Sequence, residues 1–297
     1  MLWEVAAREH NIEGPGGRTL CVREDGDPDG VPVIAHHGTP GSRLIYRRWT
    51  EDAAERGIRL IAYDRPGYGG SDRHAGRAVA DVVADVEAVA DALGLERILV
   101  QGRSGGGPHA LACAALLGDR VAAAATLASV APYDAEGLDF LAGMGEDNVQ
   151  ELGAAVEGAE TLAPLLEAYS VHLVDADPGE LTEGLKSLLS PPDVAVVNGG
   201  LAEELIAVTS EGIRATREGW LDDDLAFVKP WGFDLEAISV PLQLWQGRQD
   251  LMVPLGHGEW LAEHLPAADV QLSDEDGHLS IEHRRIGDVH AWLLERY

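Results

Sequence analysis

Short apolar runs alternate with stretches of helical periodicity through the first 130 residues. The apolar runs cover residues 31–35, 58–63, 97–100 and 121–128. Between the second and third runs, apolar side chains recur at steps of three and four residues until a glycine follows: Val79, Val82, Val86, Val89, Leu93 and Gly94. Such an alternation is typical of a parallel β-sheet with helices on both faces. The pattern therefore predicts an α/β domain.

Two earlier segments, residues 3–12 and 18–23, are joined by a Gly-Pro-Gly-Gly turn at residues 14–17. Two short segments joined by so tight a turn favour a β-hairpin. We expect this hairpin to lie antiparallel at one edge of the sheet.

The alternation stops near residue 133, and only helical periodicity continues to residue 234. Apolar residues at helical spacing are Val149, Leu152, Val156, Leu162, Leu166, Tyr169, Leu181, Leu185, Leu188, Leu201, Leu205 and Val208. Pro164 is expected to kink or divide the first of these helices. Strands at residues 242–245 and 270–272 and helices at 259–264 and 281–294 then resume the earlier pattern. The sequence thus predicts an α/β core in two parts, residues 1–132 and 237–297, around a helical insertion at residues 133–236.

The composition is strongly acidic, since 51 Asp and Glu face 22 Lys and Arg and give a formal net charge of −29. Such a surface repels phosphate backbones and anionic lipids, so we expect neither nucleic acid nor a membrane as partner. It also repels itself, which predicts higher stability at raised ionic strength.

The compartment can be inferred from cysteines and from the start of the chain. Cys21 and Cys113 lie far apart in apolar surroundings, which favours two buried free thiols. Residues 1–6 carry an acid where a signal peptide needs positive charge, and no later apolar run approaches the ~18 residues of a membrane span. We expect a cytoplasmic protein.

The sequence Gly-Arg-Ser-Gly-Gly at residues 102–106 lies between an apolar strand and an Ala-rich helix at residues 108–117. A serine at such a sharp turn is presented as a nucleophile, and glycines beside it allow strand and helix to approach closely. Ser104 is therefore the candidate nucleophile.

A nucleophilic serine needs a histidine as general base and an acid that orients the histidine. The predicted strand at residues 242–245 runs into a segment containing Asp250, and the strand at 270–272 runs into Gly277 and His278. Because residues at the carboxyl ends of parallel strands lie together, we predict that Asp250 and His278 complete a triad with Ser104. Asp134, just after residues 121–128, is the competing acid.

The turn at residues 36–42, His-His-Gly-Thr-Pro-Gly-Ser, follows the predicted strand at 31–35. Backbone N–H groups in such a turn can stabilise a developing oxyanion. Thr39 and Gly105 are the predicted donors of this oxyanion hole.

Together with Tyr-Asp-Arg-Pro-Gly-Tyr-Gly-Gly-Ser at residues 63–71 and Gly-Arg-Gln-Asp at 247–250, these motifs resemble the signature set of the cap-domain branch of the α/β-hydrolase superfamily. The resemblance implies an eight-stranded, mostly parallel sheet, a helical cap, and chain order Ser, acid, His. It implies no cofactor and no metal. It excludes haloalkane dehalogenases and epoxide hydrolases, which carry Asp at the position of Ser104.

Several other polar residues have structural interpretations. We expect His36 and His37 to brace their loop, Asp64 and Arg65 to hold the turn that follows them, and His109 to pack or cap a helix. The acidic run at residues 222–224 predicts a solvated face or a helix cap, since no His or Cys spacing supports a metal site. Candidate pocket walls in the helical insertion are Phe140, Met144, Trp220, Phe227, Trp231 and Phe233.

The function expected from these residues is hydrolysis of a small or medium-sized, largely apolar carboxylic ester or lactone. A proline iminopeptidase-like aminopeptidase is the main alternative, with Glu203 and Glu204 as candidates for binding a substrate ammonium. Carbon-carbon bond hydrolysis and perhydrolysis use the same triad. A ligand receptor that retains the triad is the alternative from another class.

Overall fold

The computed structural model describes residues 7–297, so the predictions made from the sequence for residues 1–6 lie outside the described part. Eight strands form one sheet in the order β1-β2-β4-β3-β5-β6-β7-β8. The strands are β1 (Arg8–Glu13), β2 (Thr19–Gly26), β3 (Val31–His36), β4 (Ile58–Tyr63), β5 (Ile98–Arg103), β6 (Val121–Leu127), β7 (Leu242–Gly247) and β8 (Asp269–Ser273). β1 pairs antiparallel with β2 and β2 antiparallel with β4, whereas the other neighbours are parallel. The predicted mostly parallel, eight-stranded sheet with an antiparallel hairpin at its edge is confirmed.

Helices cover both faces of this sheet. In chain order they are α1 (Arg47–Arg56), α2 (Val82–Ala92), α3 (Gly107–Leu116), α4 (Glu146–Glu157), α5 (Ala159–Ser170), α6 (Pro178–Gly184), α7 (Pro191–Val196), α8 (Ala202–Ile213), α9 (Glu218–Phe227), α10 (Leu255–His264) and α11 (His278–Leu294). None of these helices in residues 7–297 is long and apolar enough to cross a bilayer.

The inner strands have a core on each side because successive side chains of a strand point to opposite faces. Ile34 and Val100 pack into one cluster with α2, α3 and α10, whereas Val33 and Leu99 pack into the other with α1 and α11. Every residue of β5 and β6 is buried. This two-sided burial explains why the central strands read as continuous apolar runs in the sequence.

Element bounds differ from the sequence predictions at two places in the core. Helix α1 was not predicted, because only Trp49 and Ala53 of its ten residues are buried and the segment contains few apolar residues. Helix α11 begins at His278, three residues before the predicted start. The predicted base is therefore the first residue of a long helix, not a loop residue.

The part of the chain between β6 and β7, residues 128–241, contains helices α4 to α9 and is called the helical segment below. The break between α4 and α5 occurs at Gly158, whose φ of 117° favours glycine, and not at Pro164. Pro164 lies inside α5, where it leaves the carbonyl of exposed Glu160 available to water. Pro164 therefore does not divide this region, and a kink at Pro164 stays a prediction.

Candidate active site

The turn that carries Ser104 connects β5 to α3 with very little space around its backbone. Ser104 has a left-handed φ of 52°, a conformation that costs a residue with a side chain about 1–3 kcal/mol. A Cβ on Gly102 would lie 2.2 Å from the carbonyl oxygen of Gly106, and a Cβ on Gly106 would lie 2.3 Å from that of His36. Glycines therefore flank Ser104 because strand, turn and helix are in backbone contact.

His278 and Asp250 form a buried pair at the carboxyl ends of β7 and β8. Nδ1 of His278 lies 2.8 Å from Oδ2 of Asp250, and both residues are at most 3% exposed. The other oxygen, Oδ1, accepts hydrogen bonds from the N–H groups of Met252 and Val253, each at 2.8 Å. The structure thus brings Asp250, not the alternative Asp134, against the histidine.

A second buried carboxylate, that of Glu282, lies on the other side of the imidazole. Its Oε1 is 3.7 Å from Nε2 of His278, and its Oε2 accepts a 3.0 Å hydrogen bond from Arg103, the residue before Ser104. Burial raises the pKa of Glu282. Burial alone would lower the pKa of His278, but the charge and hydrogen bond of Asp250, with the charges of Glu282 and Asp193, raise it to about 9.

The loop after β3 contacts the Ser104 turn directly. A Cβ on Gly105 would lie 2.4 Å from Oγ1 of Thr39, and one on Gly38 would lie 3.4 Å from Cβ of Ser104. The ring of His37 braces this loop as expected, since its Nε2 accepts a hydrogen bond from the N–H of Arg65 at 3.2 Å. Thr39 and Gly105 therefore lie side by side at the Ser104 turn.

The acidic run at residues 222–224 is buried, which corrects its assignment to a solvated face. Asp223 accepts hydrogen bonds from Arg65, Arg77, Tyr68 and the hydroxyl of Thr39. The nearby arginines hold the pKa of Asp223 well below its usual range despite the burial. Asp223 thus connects α9 to the loop after β3.

Arg65 was expected to hold the turn that follows it, but its side chain bonds to a different loop. Arg65 is fully buried and donates hydrogen bonds to the carbonyls of His37 and Gly38 and to Oγ1 of Thr39. The turn is held instead by Asp64, which accepts a 3.1 Å hydrogen bond from the N–H of Gly70. Arg65 therefore supports the loop that carries Thr39.

A cavity of about 1040 Å³ lies between the sheet and the helical segment. Ser104, Gly105, Thr39 and His278 all line it, and Asp250 is buried behind His278. Its walls are mostly apolar. The four residues predicted to contact the same reacting group therefore face one space.

Of the predicted pocket residues, Phe140, Met144, Trp220 and Phe227 line the cavity. Trp231 and Phe233 do not line the cavity, and they stack on each other at a centroid distance of 5.9 Å. Their assignment to the pocket was wrong.

One side of the cavity carries carboxyl groups that the sequence did not indicate. Glu151 of α4 and Asp224 of α9 both line the cavity, and Oε1 of Glu151 accepts a 2.8 Å hydrogen bond from the indole of Trp220. Within residues 7–297, Oδ2 of Asp224 is buried without a hydrogen-bond partner. Burial, followed by the neighbouring charge of Glu151, raises the pKa of Asp224 well above its usual range.

Glu203 and Glu204, the predicted ammonium ligands, do not line this cavity. Glu203 is exposed, and Glu204 accepts a 2.7 Å hydrogen bond from the N–H of Arg47. Both lie in the first turn of α8, outside the lining of this cavity. Recognition of a cation in the cavity would instead depend on carboxylates that line it, such as Glu151 and Asp224.

Comparisons with known proteins agree with this architecture. A family model of the α/β hydrolase fold matches residues 31–158. The chain is 27% identical to epoxide hydrolase A of Mycobacterium tuberculosis, with 98% of each protein covered. It is also 27% identical to a proline iminopeptidase of Neisseria gonorrhoeae, over 87% of this chain and 86% of that protein.

Solved structures share the fold at low sequence identity. A thermophilic esterase from Thermogutta terrifontis aligns with a TM-score of 0.71 and 22% identity, covering 97% of this chain and 98% of that one. An esterase from Exiguobacterium antarcticum gives a TM-score of 0.68 and 19% identity over 97% and 100%. The chain belongs to the α/β-hydrolase superfamily. It is a hydrolase of the α/β fold.

Proposed function

We propose that this protein is a cofactor-free serine hydrolase that cleaves a carboxylic ester or lactone through an acyl-enzyme on Ser104. The observation that carries the proposal is the buried His278–Asp250 pair, whose histidine lines the same cavity as Ser104 at its strained turn. Geometry of this kind, with base and orienting acid in hydrogen-bond contact, is the pattern expected of an activated nucleophile.

In the proposed reaction, Nε2 of His278 accepts the proton of Ser104 while Oγ attacks the carbonyl carbon of the substrate. The carbonyl π electrons move to oxygen, and the N–H groups of Thr39 and Gly105 stabilise the resulting oxyanion. Collapse of the tetrahedral intermediate breaks the ester C–O bond, and the imidazolium gives its proton to the departing alkoxide. Water then attacks the acyl-enzyme by the same route and releases the carboxylic acid. Asp250 keeps Nδ1 protonated throughout.

The cavity supports a neutral substrate of small or medium size. Apolar side chains such as Phe140, Met144 and Phe227 form much of its lining within a volume of about 1040 Å³. The net charge of −29 disfavours anionic substrates. We take residues 133–236 as a cap domain that closes this space, which accords with the helices between β6 and β7.

Epoxide hydrolase A is a similar relative by sequence, but the residue at the nucleophile turn of this chain is Ser104. A serine oxygen attacks acyl carbons readily, and the adjacent oxyanion donors suit a tetrahedral intermediate, which an epoxide does not form. The proposal therefore favours an acyl substrate.

An aminopeptidase resembling proline iminopeptidase is the second candidate. The specific observation is the Glu151 and Asp224 carboxyl pair in the cavity, because carboxyl oxygens such as the buried Oδ2 of Asp224, which has no hydrogen-bond partner within residues 7–297, can accept hydrogen bonds from a substrate ammonium. Cleavage of proline naphthylamide but not of nitrophenyl acetate would favour this candidate. Loss of that activity in Asp224→Asn, with ester hydrolysis retained, would assign the pair to amine recognition.

The central test replaces the nucleophile. We expect Ser104→Ala to lose ester hydrolysis by about 10⁴-fold or more and to lose labelling by a fluorophosphonate, with circular dichroism unchanged. The control is Ser129→Ala, which removes a neighbouring buried hydroxyl that donates to the carbonyl of Val130. An active, labelled Ser104→Ala variant would refute the proposal. Labelling without appreciable turnover on esters, lactones and aminoacyl amides would favour the receptor alternative.

A further inference from the structure

Asp193 is a fully buried carboxylate in the first turn of α7, in the helical segment. Its oxygens accept hydrogen bonds from two elements that are distant in sequence. Oδ1 accepts from the N–H and the hydroxyl of Ser280, both at 2.8 Å. Oδ2 accepts from the N–H of His278 at 3.1 Å and from the hydroxyl of Ser190 at 2.6 Å. One side chain therefore joins α7 to the first turn of α11.

Helix α11 depends on this contribution because its own N-cap residue has no side chain. Gly277 occupies the N-cap position, so it cannot accept from the first N–H groups of the 17-residue helix. Asp193 accepts from the N–H groups of His278 and Ser280 instead. A carboxylate at this end of the helix is also favoured by the helix dipole. The start of α11, and with it the backbone of His278, is fixed from the helical segment.

The contact also explains why a glycine precedes His278. A Cβ on Gly277 would lie 2.1 Å from Oγ of Ser190 and 2.3 Å from Oδ2 of Asp193. Any larger residue would push α7 away from α11. Gly277 is therefore required for the close packing of α7 against α11, and His278 is the first residue of α11.

We infer that Asp193 is a positioning residue for the general base, one that couples the helical segment to the proton-transfer step. This inference rests on the proposed function. The hydrogen bond to the His278 N–H fixes the backbone from which the imidazole extends, so that Nδ1 reaches Asp250 while His278 lines the cavity. Loss of the bond allows the first turn of α11 to fray and the ring to leave this geometry. Misplacement of a reacting group by about 1 Å can cost about 100-fold in rate.

The charge of Asp193 matters in addition to its geometry. The groups that donate to Asp193 are neutral, so its charge is not cancelled by an ion pair. The other charged groups around His278 are Asp250 after β7, Glu282 on α11, and Arg103 at the end of β5, bonded to Glu282. Asp193 is the carboxylate that the helical segment adds to this set.

The test compares Asp193→Asn with a change at Asp177, an exposed aspartate that caps another helix. Asp177 accepts hydrogen bonds from the N–H groups of Gly179 and Glu180 at the start of α6, and it does not line the cavity. Hydrolysis of nitrophenyl acetate is measured between pH 6 and 10, together with the rate of fluorophosphonate labelling and the melting temperature. Asp177→Ala reports what loss of a helix cap does by itself.

For Asp193→Asn we expect kcat to fall about 100-fold with little change in KM, slower labelling, and a lower apparent pKa in the profile of kcat/KM. Asp177→Ala should lower only the melting temperature. Gly277→Ala, which displaces the same contact, should repeat the change in kcat. Should Asp193→Asn fail to fold, Ser280→Ala takes its place, because it removes one donor to Asp193 and is expected to lower kcat about tenfold.

A folded Asp193→Asn variant with the kcat and the pH profile of the wild type would overturn the inference. So would a wild-type kcat in Ser280→Ala if the Asp193 variant is unfolded. Failure of the proposed function is distinguishable, since the wild-type protein itself would then not be labelled by the fluorophosphonate.

Discussion

Glu282 is the carboxylate whose removal should change the pH at which this protein works. With the pKa of His278 at about 9, only about 1% of the imidazole is the free base at pH 7. We therefore expect kcat/KM of the wild-type protein to rise about tenfold per pH unit above pH 7 and to level off above pH 9. The unprotonated imidazole of His278 is a strong base, but only a small fraction of His278 is in this form at neutral pH.

The contribution of Glu282 can be worked from its position. Opposite unit charges 3.7 Å apart, the separation of Oε1 from Nε2, attract by about 4 kcal/mol at an effective dielectric constant of 20. This is an upper value, because the charge and the hydrogen bond of Asp250 contribute more than Glu282 to the raised pKa of His278. Loss of the smaller Glu282 contribution in Glu282→Gln should lower the pKa of His278 to roughly 7 to 8, since 1.36 kcal/mol corresponds to one pKa unit.

The assay is the pH profile of kcat/KM on nitrophenyl acetate, corrected for spontaneous hydrolysis. The Glu282→Gln profile should level off about one to two pH units earlier than the wild-type profile. Glu24→Gln is the matched control, because Glu24 is also buried and ion-paired, with Arg59, but lies on β2 far from His278. A wild-type profile that levels off near pH 6.5, or an unchanged profile in folded Glu282→Gln, would refute the reasoning.

The remaining predictions concern the acid, stability and salt. Asp250→Asn should lower kcat by about 10⁴-fold, and Asp134→Asn should leave it unchanged; the reverse result would exchange their roles. Because the folded pKa of His278 is raised, its contribution to the free energy of unfolding, on the order of 3 kcal/mol, is present below pH 6.5 and lost as pH rises through 9. Denaturant titrations from pH 6 to 9.5 measure this loss, which should be absent in His278→Gln. Asp223→Asn leaves buried Arg65 without its counterion and should destabilise the protein by about 3–5 kcal/mol; a loss below 1 kcal/mol in urea titrations would contradict the ion-pair argument. The melting temperature should rise between low and high salt because the net charge is −29, and a constant value would remove self-repulsion as a factor.

The sequence was sufficient for the sheet and for the residues at its strand ends. A strand buried on both faces is mostly apolar, so β4, which is apolar except for Arg59, was predicted with its observed bounds, Ile58–Tyr63. Asp250 and His278 could be found because the topology requires the carboxyl ends of β7 and β8 to meet. Ser104 was marked by glycines that the backbone contacts require. These signals are local, or they follow from strand order.

The carboxylates that surround the site were not predictable in the same way. Asp193 lies 85 residues from the His278 N–H that it binds, and Asp223 lies 184 residues from Thr39. No periodicity relates residues at such separations. In a chain with 51 acidic residues, the sequence favours interpreting an aspartate near a helix start as a solvent-exposed cap. Only the packing of the folded chain shows that such an aspartate is buried. The errors at residues 222–224 and at the predicted ammonium ligands have this same cause.

The acidic residues that bond to the candidate site are buried, unlike most acidic residues of a protein surface. Removing a carboxylate from water costs several kcal/mol, so it is retained only where charges or several hydrogen bonds offset the cost. Asp223 meets this condition through Arg65 and Arg77, and Asp193 through neutral donors on α11. The first is bonded to the residue that carries a proposed oxyanion donor, and the second to the backbone of the proposed base. Both come from the helical segment, which therefore supports the two sides of the reaction centre in addition to shaping the cavity above it.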